Sequence, residues 1–394
     1  MKEKKNILMI CSWLDVEKNI GSFFWEQAEI MQPKYSIILC NFNKKTIKLK
    51  SIFSFFKRNK ISEIKAPNGI VTYQIKYNYF KFLPEKINTL ILKNSIKKFN
   101  VFLKKTNFNI DLIHAQSIFN AGLIGLYYQK IEKIPFIFTE HNQFNLRNKT
   151  RYEIKLVNQV LSKSSKNLVV SYDKIRQFAA NEFYSNFEVV GNSINEEVFY
   201  LVDEKTNNEL FTITTIGAFD PIKDQITILK SLKLIDKELK NKVFFNWIGF
   251  NGWGFNNTNQ VTDLINSYKF ENIKVNLFES LSRNEIASKL RETNLFLFSS
   301  ISEGLPVSVI EALACGVPVC TTRCGGVDEL IDDYNGKIIQ IKDYKDMSNF
   351  ILYFIQNEYK YDKKAISKET IVKNGKVAFF NKLDEIYSSI IYAK

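Results

Sequence analysis

Ser299-Ser300-Ile301-Ser302-Glu303-Gly304-Leu305-Pro306-Val307-Ser308-Val309-Ile310-Glu311-Ala312-Leu313-Ala314-Cys315-Gly316-Val317-Pro318-Val319 is the stretch that decides the fold. It is entered from Leu295 to Phe298, a short apolar run that reads as a buried strand. Pro306 suits the first turn of a helix, where its missing N–H costs nothing. Val309, Ile310, Leu313 and Ala314 then share one face at helical spacing, and Gly316 stops the helix. Val317 to Cys320 reads as the next strand. Glu303 therefore lies in a strand-to-helix loop and Glu311 inside the helix that follows. In an open α/β sheet such a loop stands at the carboxyl end of its strand, where ligands bind.

The pattern Glu303-x7-Glu311, set within Glu-Gly-x-Pro and Glu-Ala-x-Ala-x-Gly-x-Pro-Val, resembles the signature of family 4 (group 1) retaining glycosyltransferases. The resemblance implies the GT-B architecture, two Rossmann-like α/β domains with parallel sheets facing across a cleft. It also implies a donor site. Glu303 and the backbone of Gly304 and Leu305 would meet the sugar of a nucleotide-sugar, and Glu311 the ribose hydroxyls. The chemistry of the residues agrees, because an ionised carboxylate accepts strongly from two neighbouring hydroxyls. The bland alternative is a capping Glu303 and a solvated helix glutamate at 311.

A chain of 394 residues has room for two ordinary domains, and 45% hydrophobic residues can fill their cores. No run has the length of a transmembrane helix. Met1 to Lys5 leads into only a short apolar run, Ile7 to Cys11, which suits a first strand better than a signal peptide. With five cysteines, an odd number without paired C-x-x-C spacing, the expectation is a cytoplasmic chain with neither disulfides nor zinc. The net charge of +14 admits nucleic acid, an anionic membrane or an anionic substrate as partner. Nothing reads as a helix-turn-helix, zinc-finger or RNA-recognition signature, so nucleic acid is not expected.

Along the first half, Asn6 to Cys11, Tyr35 to Cys40, Val71 to Ile75, Asp111 to Gln116, Pro135 to Asn142, Asn167 to Ser171 and Phe187 to Val190 read as strands or strands with their polar ends. Gly21 sits in the first strand-to-helix loop, where the resemblance implies close backbone approach to the donor diphosphate or the acceptor, with Gly21 taken as donor-binding; a plain turn glycine is the alternative. Leu49, Ile52, Phe53 and Phe56 recur at helical spacing while Lys50, Lys57 and Arg58 lie off that stripe, so residues 42–60 read as a basic amphipathic helix able to lie on an anionic membrane. Residues 84–105 read as a basic scaffold helix. The two histidines, His114 and His141, both fall at strand carboxyl ends. This resembles the family's Asp-x-x-His-x-His and Thr-x-His segments, with Gln116 in place of the second histidine. His141 is thereby a catalytic candidate, and His114, Gln116 and Asn142 are candidates on the acceptor side.

The polar segment 200–210 reads as a linker. Beyond it, Phe211 to Ile216 is a strand, Gln225 to Ile235 a helix and Val243 to Ile248 a strand. Lys223 matches the family lysine that neutralises the donor diphosphate. The neighbouring arginine is Ala218 here, leaving Arg323 or Arg283 to supply a second cation. Ser282-x-x-Glu285 is a capping box. Gly325, Gly326 and Val327 precede a helix start and present N–H groups to a phosphate, as in the family's Gly-Gly-x-x-Glu.

These readings define an amino-terminal acceptor domain over 1–200, a nucleotide-sugar domain over 201–375, and a last helix, 376–394, returning to the first. The implied reaction moves a sugar from a UDP- or GDP-sugar to a glycan or lipid-linked hydroxyl in bacterial surface-polysaccharide synthesis, retaining the anomeric configuration. No cofactor is called for, and without an Asp-x-Asp pair no metal. The work would be done in the cytoplasm, at the inner face of the plasma membrane if residues 42–60 dock there. Two alternatives are another GT-B enzyme, such as a nucleotide-sugar epimerase, and a non-catalytic membrane-surface partner of a transferase.

Overall fold

Ile7-Leu8-Met9-Ile10 and Leu295-Phe296-Leu297-Phe298 are continuous apolar runs with no polar alternation. Such runs form strands buried on both faces, which is the environment of a parallel sheet. The computed structural model describes residues 4–14, 16, 21–47, 60–65, 68–144, 146, 149–202, 211–251 and 257–393. It divides into two compact units. The first holds residues 1–170, 174–190 and 379–394, and the second residues 171–173 and 191–378.

The first unit is an eight-stranded sheet in the order β3-β4-β2-β1-β5-β6-β7-β8. Its strands are β1 (Lys5–Cys11), β2 (Tyr35–Ile47), β3 (Lys60–Lys65), β4 (Val71–Phe80), β5 (Leu112–Gln116), β6 (Phe136–Glu140), β7 (Asn167–Val169) and β8 (Phe187–Val189). All neighbours pair in parallel except β3, which runs antiparallel to β4 at the edge. Strand order reverses between β1 and β5, so the loops after these two strands flank the unit's switch point. The helices are α1 (Ser22–Met31), α2 (Glu85–Lys105), α3 (Leu123–Glu132), α4 (Arg151–Lys163) and α5 (Tyr172–Ala180).

The basic helix expected over residues 42–60 is corrected in part. Residues 42–47 belong to β2, whose register against β4 continues from Leu39–Thr72 to Ile47–Phe80. Lys60 opens β3. Residues 48–59, which carry the apolar stripe, lie outside the described residues, as do residues 203–210 of the linker.

The second unit is a six-stranded parallel sheet in the order β11-β10-β9-β12-β13-β14. Its strands are β9 (Phe211–Ile216), β10 (Val243–Ile248), β11 (Ile273–Phe278), β12 (Leu295–Phe298), β13 (Val319–Thr322) and β14 (Gly336–Ile339). Here the order reverses between β9 and β12. The helices are α6 (Gln225–Ile235), α7 (Thr258–Tyr268), α8 (Arg283–Arg291), α9 (Val307–Ala314), α10 (Tyr344–Asn357) and α11 (Lys363–Asn374), and only the start of α12 (Lys376–Ile391) belongs here. The capping box at Ser282 and Glu285 is present and starts α8. The carboxyl-terminal region, read as helical over 345–392, is three helices with breaks near Tyr361 and Gly375.

From Phe379 onward α12 belongs to the first unit. Phe379, Leu383, Ile386 and Tyr387 share one helix face and are buried with Ile7, Met9 and Leu39 of β1 and β2. Its outer edge is tied by Tyr35, whose hydroxyl donates to Asp384 at 2.7 Å. The five cysteines are buried free thiols. No helix among the described residues is long and apolar enough to cross a membrane.

Candidate active site

The loops that leave β9 and β12 flank the switch point of the second sheet. They are stitched together by backbone: Ile301 N–H donates to Ile222 O at 2.7 Å, and Ser299 Oγ donates to Lys223 O at 2.9 Å. Across this seam Lys223 Nζ reaches Glu303 Oε1 at 2.7 Å. Both side chains are partly buried, so their charges are less screened than those of a surface pair. The two residues singled out for the diphosphate and the sugar thus meet directly.

Gly325 and Gly326, which follow β13, have a packing reason as well. A Cβ on Gly325 would lie 2.5 Å from Glu303 O, and one on Gly326 would lie 2.6 Å from Gly304 O. Gly325 also has φ +125°, in the region that favours glycine. The two loops therefore approach backbone to backbone. Gly326 N–H donates to Gly304 O at 3.2 Å, and Ser171 Oγ donates to the same carbonyl at 3.0 Å. Asn192 Nδ2 donates to Leu305 O at 2.8 Å. The Glu303–Leu305 backbone is thus fixed from several sides. The turn after Gly325 is a four-residue 3-10 segment, Gly326–Glu329, rather than an α-helix. Gly326→Ala should force these loops apart. We expect a destabilisation of about 1–3 kcal/mol and a loss of nucleotide-dependent thermal stabilisation, both read by differential scanning fluorimetry.

Glu311 is buried at 3% exposure in α9, which excludes the solvated helix glutamate of the bland alternative. Its carboxylate pairs with the Arg283 guanidinium from the start of α8, and that guanidinium stacks 4.6 Å from the Phe199 ring centroid. A buried carboxylate needs such a partner to stay ionised. Arg323 pairs with Asp328 at 2.7 Å. Both arginines considered as stand-ins for the cation missing at Ala218 are therefore held in ion pairs.

In the first unit, β1, β5 and β6 are neighbours, and their carboxyl-end loops bring Gly21, Gln116, His141 and Asn142 to one edge. His141 Nε2 lies 2.5 Å from Gln116 Oε1. The His141 ring sits among Phe23, Phe24 and Trp13 at centroid distances of 5.1, 5.9 and 6.4 Å. Gly21 adopts φ +80°, and a Cβ there would meet Trp13 O and the Phe24 ring at 3.0 Å. A glycine is thus required where the aromatic cluster closes on His141. The loop from Asn142 to Lys149 is described only in part.

Glu140 went unnoticed in the sequence. It is buried, and its two oxygens accept from Ile118 N and Asn142 N at 2.9 Å each. Burial pushes its carboxyl up from the usual range, and those two N–H groups oppose the shift. Glu140 ties the loop after β5 to the loop after β6 and so fixes the backbone on either side of His141. An acidic residue ending a buried strand run, as in Phe136-Ile137-Phe138-Thr139-Glu140, is the signal that marks it.

His114 does not stand beside them at the surface. It is 1% exposed, with Nδ1 2.7 Å from Tyr387 Oη and Nε2 2.7 Å from Thr139 Oγ1. Both ring nitrogens are used in holding α12 to β5 and β6, so the acceptor-side reading of His114 gives way to a structural one. Burial first, then the nearby His141, pushes its pKa down to about 3. A folded pKa below the unfolded value of about 6.5 means that stability is whole above pH 6.5 and falls as pH drops toward 3. By pH 5 about 2 kcal/mol should be lost. Urea titrations at pH 7 and pH 5 should show that loss shrink in His114→Gln.

Against this geometry stand the known proteins. The family model described as "Glycosyl transferases group 1" matches residues 200–375, and the one described as "Glycosyltransferase Family 4" matches residues 68–198. An uncharacterised glycosyltransferase of Methanocaldococcus jannaschii is 29% identical over 278 residues, 68% of this chain and 70% of that one. The UDP-Gal:alpha-D-GlcNAc-diphosphoundecaprenol alpha-1,3-galactosyltransferase of Escherichia coli is 22% identical, covering 64% of this chain and 67% of the relative. Among solved structures, Anabaena HepE in complex with UDP-glucose superposes with a TM-score of 0.71 at 14% identity, covering 98% of this chain and 99% of that one. The chain belongs to the group 1 glycosyltransferases, with the GT-B architecture. It is a transferase enzyme, so the non-catalytic alternative is set aside.

Proposed function

We propose that the chain is a retaining glycosyltransferase that moves a sugar from a UDP- or GDP-sugar to a hydroxyl of a glycan or lipid-linked acceptor, in bacterial surface-polysaccharide synthesis. The observation that carries the reading is the Lys223–Glu303 pair at the β9/β12 switch point, with buried Glu311 on the next helix. Lys223 offsets charge on the departing diphosphate, and the backbone around Gly325, Gly326 and Val327 adds fixed dipoles. Glu303, with the backbone of Gly304 and Leu305, holds the sugar hydroxyls. Glu311 accepts from the ribose hydroxyls.

The bond from the anomeric carbon to the diphosphate oxygen breaks, and a bond to the acceptor oxygen forms on the same face. The acceptor's proton passes to the leaving diphosphate. The acceptor is assigned to His141, Gln116 and Asn142, and Gly21 lets backbone come close. No metal or other cofactor is needed in this scheme, because lysine and backbone dipoles meet the diphosphate charge. In this proposal the work is done in the cytoplasm, at the inner face of the plasma membrane where a lipid-linked acceptor would lie. The diphosphoundecaprenol-linked acceptor in the name of the Escherichia coli relative supports that acceptor class.

The test is donor consumption with UDP- and GDP-sugars and a polyprenyl-diphosphate-linked sugar acceptor, followed by NMR of the anomeric coupling in the product. Retained configuration is the expected result. An inverted product would sink the stereochemical assignment, and turnover only with water-soluble glycans would remove the lipid-linked acceptor and leave a free glycan.

A further inference from the structure

Helix α2 is buried on one side only. Ile96, Phe99 and Leu103 enter the first unit's core. On the other side Ile87, Leu90, Lys97, Lys98, Val101 and Lys105 recur at three- and four-residue spacing and are exposed. A solvated helix face is normally polar, but here Leu90 is 62% exposed, Val101 53% and Ile87 41%. Phe82, in the turn that leads into the helix, is 42% exposed. Lys81, Lys86 and Lys104 are exposed as well. The one acid of the helix, Glu85, accepts a hydrogen bond from the Tyr79 hydroxyl. Beside the helix, Glu132 lies 3.7 Å from Lys104. The exposed face is thus cationic and apolar together.

That combination discriminates among partners. A nucleic acid would use the lysines but offers no hydrocarbon for Leu90, Ile87 and Val101. A protein interface core is depleted of lysine. An anionic bilayer surface satisfies both: aliphatic side chains enter the headgroup boundary while lysines extend toward lipid phosphates. The helix cannot span, since lysines recur along its length; it can lie in the plane. We propose that the outer face of α2, with Phe82 at its entry, docks this chain on an anionic lipid surface. This deepens the inner-membrane reading given above and moves the contact from residues 42–60 to a described helix. It does not depend on the donor chemistry.

The experiment is co-sedimentation of the full chain with vesicles of phosphatidylcholine alone and of phosphatidylcholine with one-third phosphatidylglycerol, in 0.1 M and 1 M salt. Wild type should partition to the anionic vesicles, weaken in 1 M salt, and leave the neutral ones largely unbound. Removing two lysines, as in Lys97→Gln/Lys98→Gln, should lower partitioning about 30-fold. Ile87→Ser/Leu90→Ser should lower it about tenfold or more. Each variant is checked for unchanged thermal unfolding, which separates a lost surface from a lost fold. Wild type that ignores anionic vesicles, or folded variants that bind them as well as wild type, would overturn the proposal. So would self-association abolished by the same substitutions without any lipid effect, which would make the face a contact between copies.

Discussion

Lys223→Ala should lower kcat for sugar transfer by about 10²–10³-fold, the cost of removing one preorganised electrostatic group from a transition state that develops charge. The lysine is held 2.7 Å from Glu303 at the junction of the β9 and β12 loops, so its charge is positioned before the donor arrives. Glu303→Gln should fall by a similar order. It loses charge-assisted hydrogen bonds to sugar hydroxyls, each worth about 1.5–3 kcal/mol, and releases Lys223 from its partner. The two substitutions should be far from additive, because each disturbs the other's geometry. Steady-state rates of the two single variants and the double variant give the coupling directly. A double variant whose loss equals the product of the single losses would show that the two residues act independently.

Glu311→Ala should be the most damaging substitution for folding at the site. It removes the carboxylate that Arg283 pairs with, and breaking one half of a buried pair costs about 3–5 kcal/mol. Removing both charges with Arg283→Met/Glu311→Gln should recover most of that stability, since a buried pair replaced by neutral groups of similar size is often tolerated. Nucleotide binding should not recover with it, because the ribose would still lack its carboxylate. Denaturant titration and calorimetric nucleotide binding, run side by side on the single and double variants, separate the two effects. Nucleotide affinity restored together with stability would remove Glu311 from the donor site and leave it a structural residue.

Much of the second unit was legible because its signals are local. Leu295 to Phe298 is an uninterrupted apolar run, and Gly316 ends α9 within two residues of its last turn. The Glu303 and Glu311 spacing then follows from one strand, one loop and one helix. What depends on distant partners was not legible. The basic helix expected over 42–60 rests on spacing from Leu49 to Phe56, and its first six residues are drawn in with that stripe; nine residues of β2, from Leu39 to Ile47, instead find register partners on β4. The structural role of His114 depends on Tyr387, 273 residues away. Glu140 gains its meaning from two backbone N–H groups on different loops. The fate of Arg283 depends on a carboxylate from another helix. The double glycine signals free N–H groups in the sequence, but its need for the close approach of Glu303 O and Gly304 O arises only from the fold.

The most direct test of the donor site is isothermal titration of UDP, GDP and ADP into wild type and into the stability-restored Arg283→Met/Glu311→Gln chain. The expected result is that UDP or GDP binds wild type and is weakened at least tenfold in the double variant, with folding intact. Equal affinity in both chains, or no binding of any of the three to wild type, would contradict it.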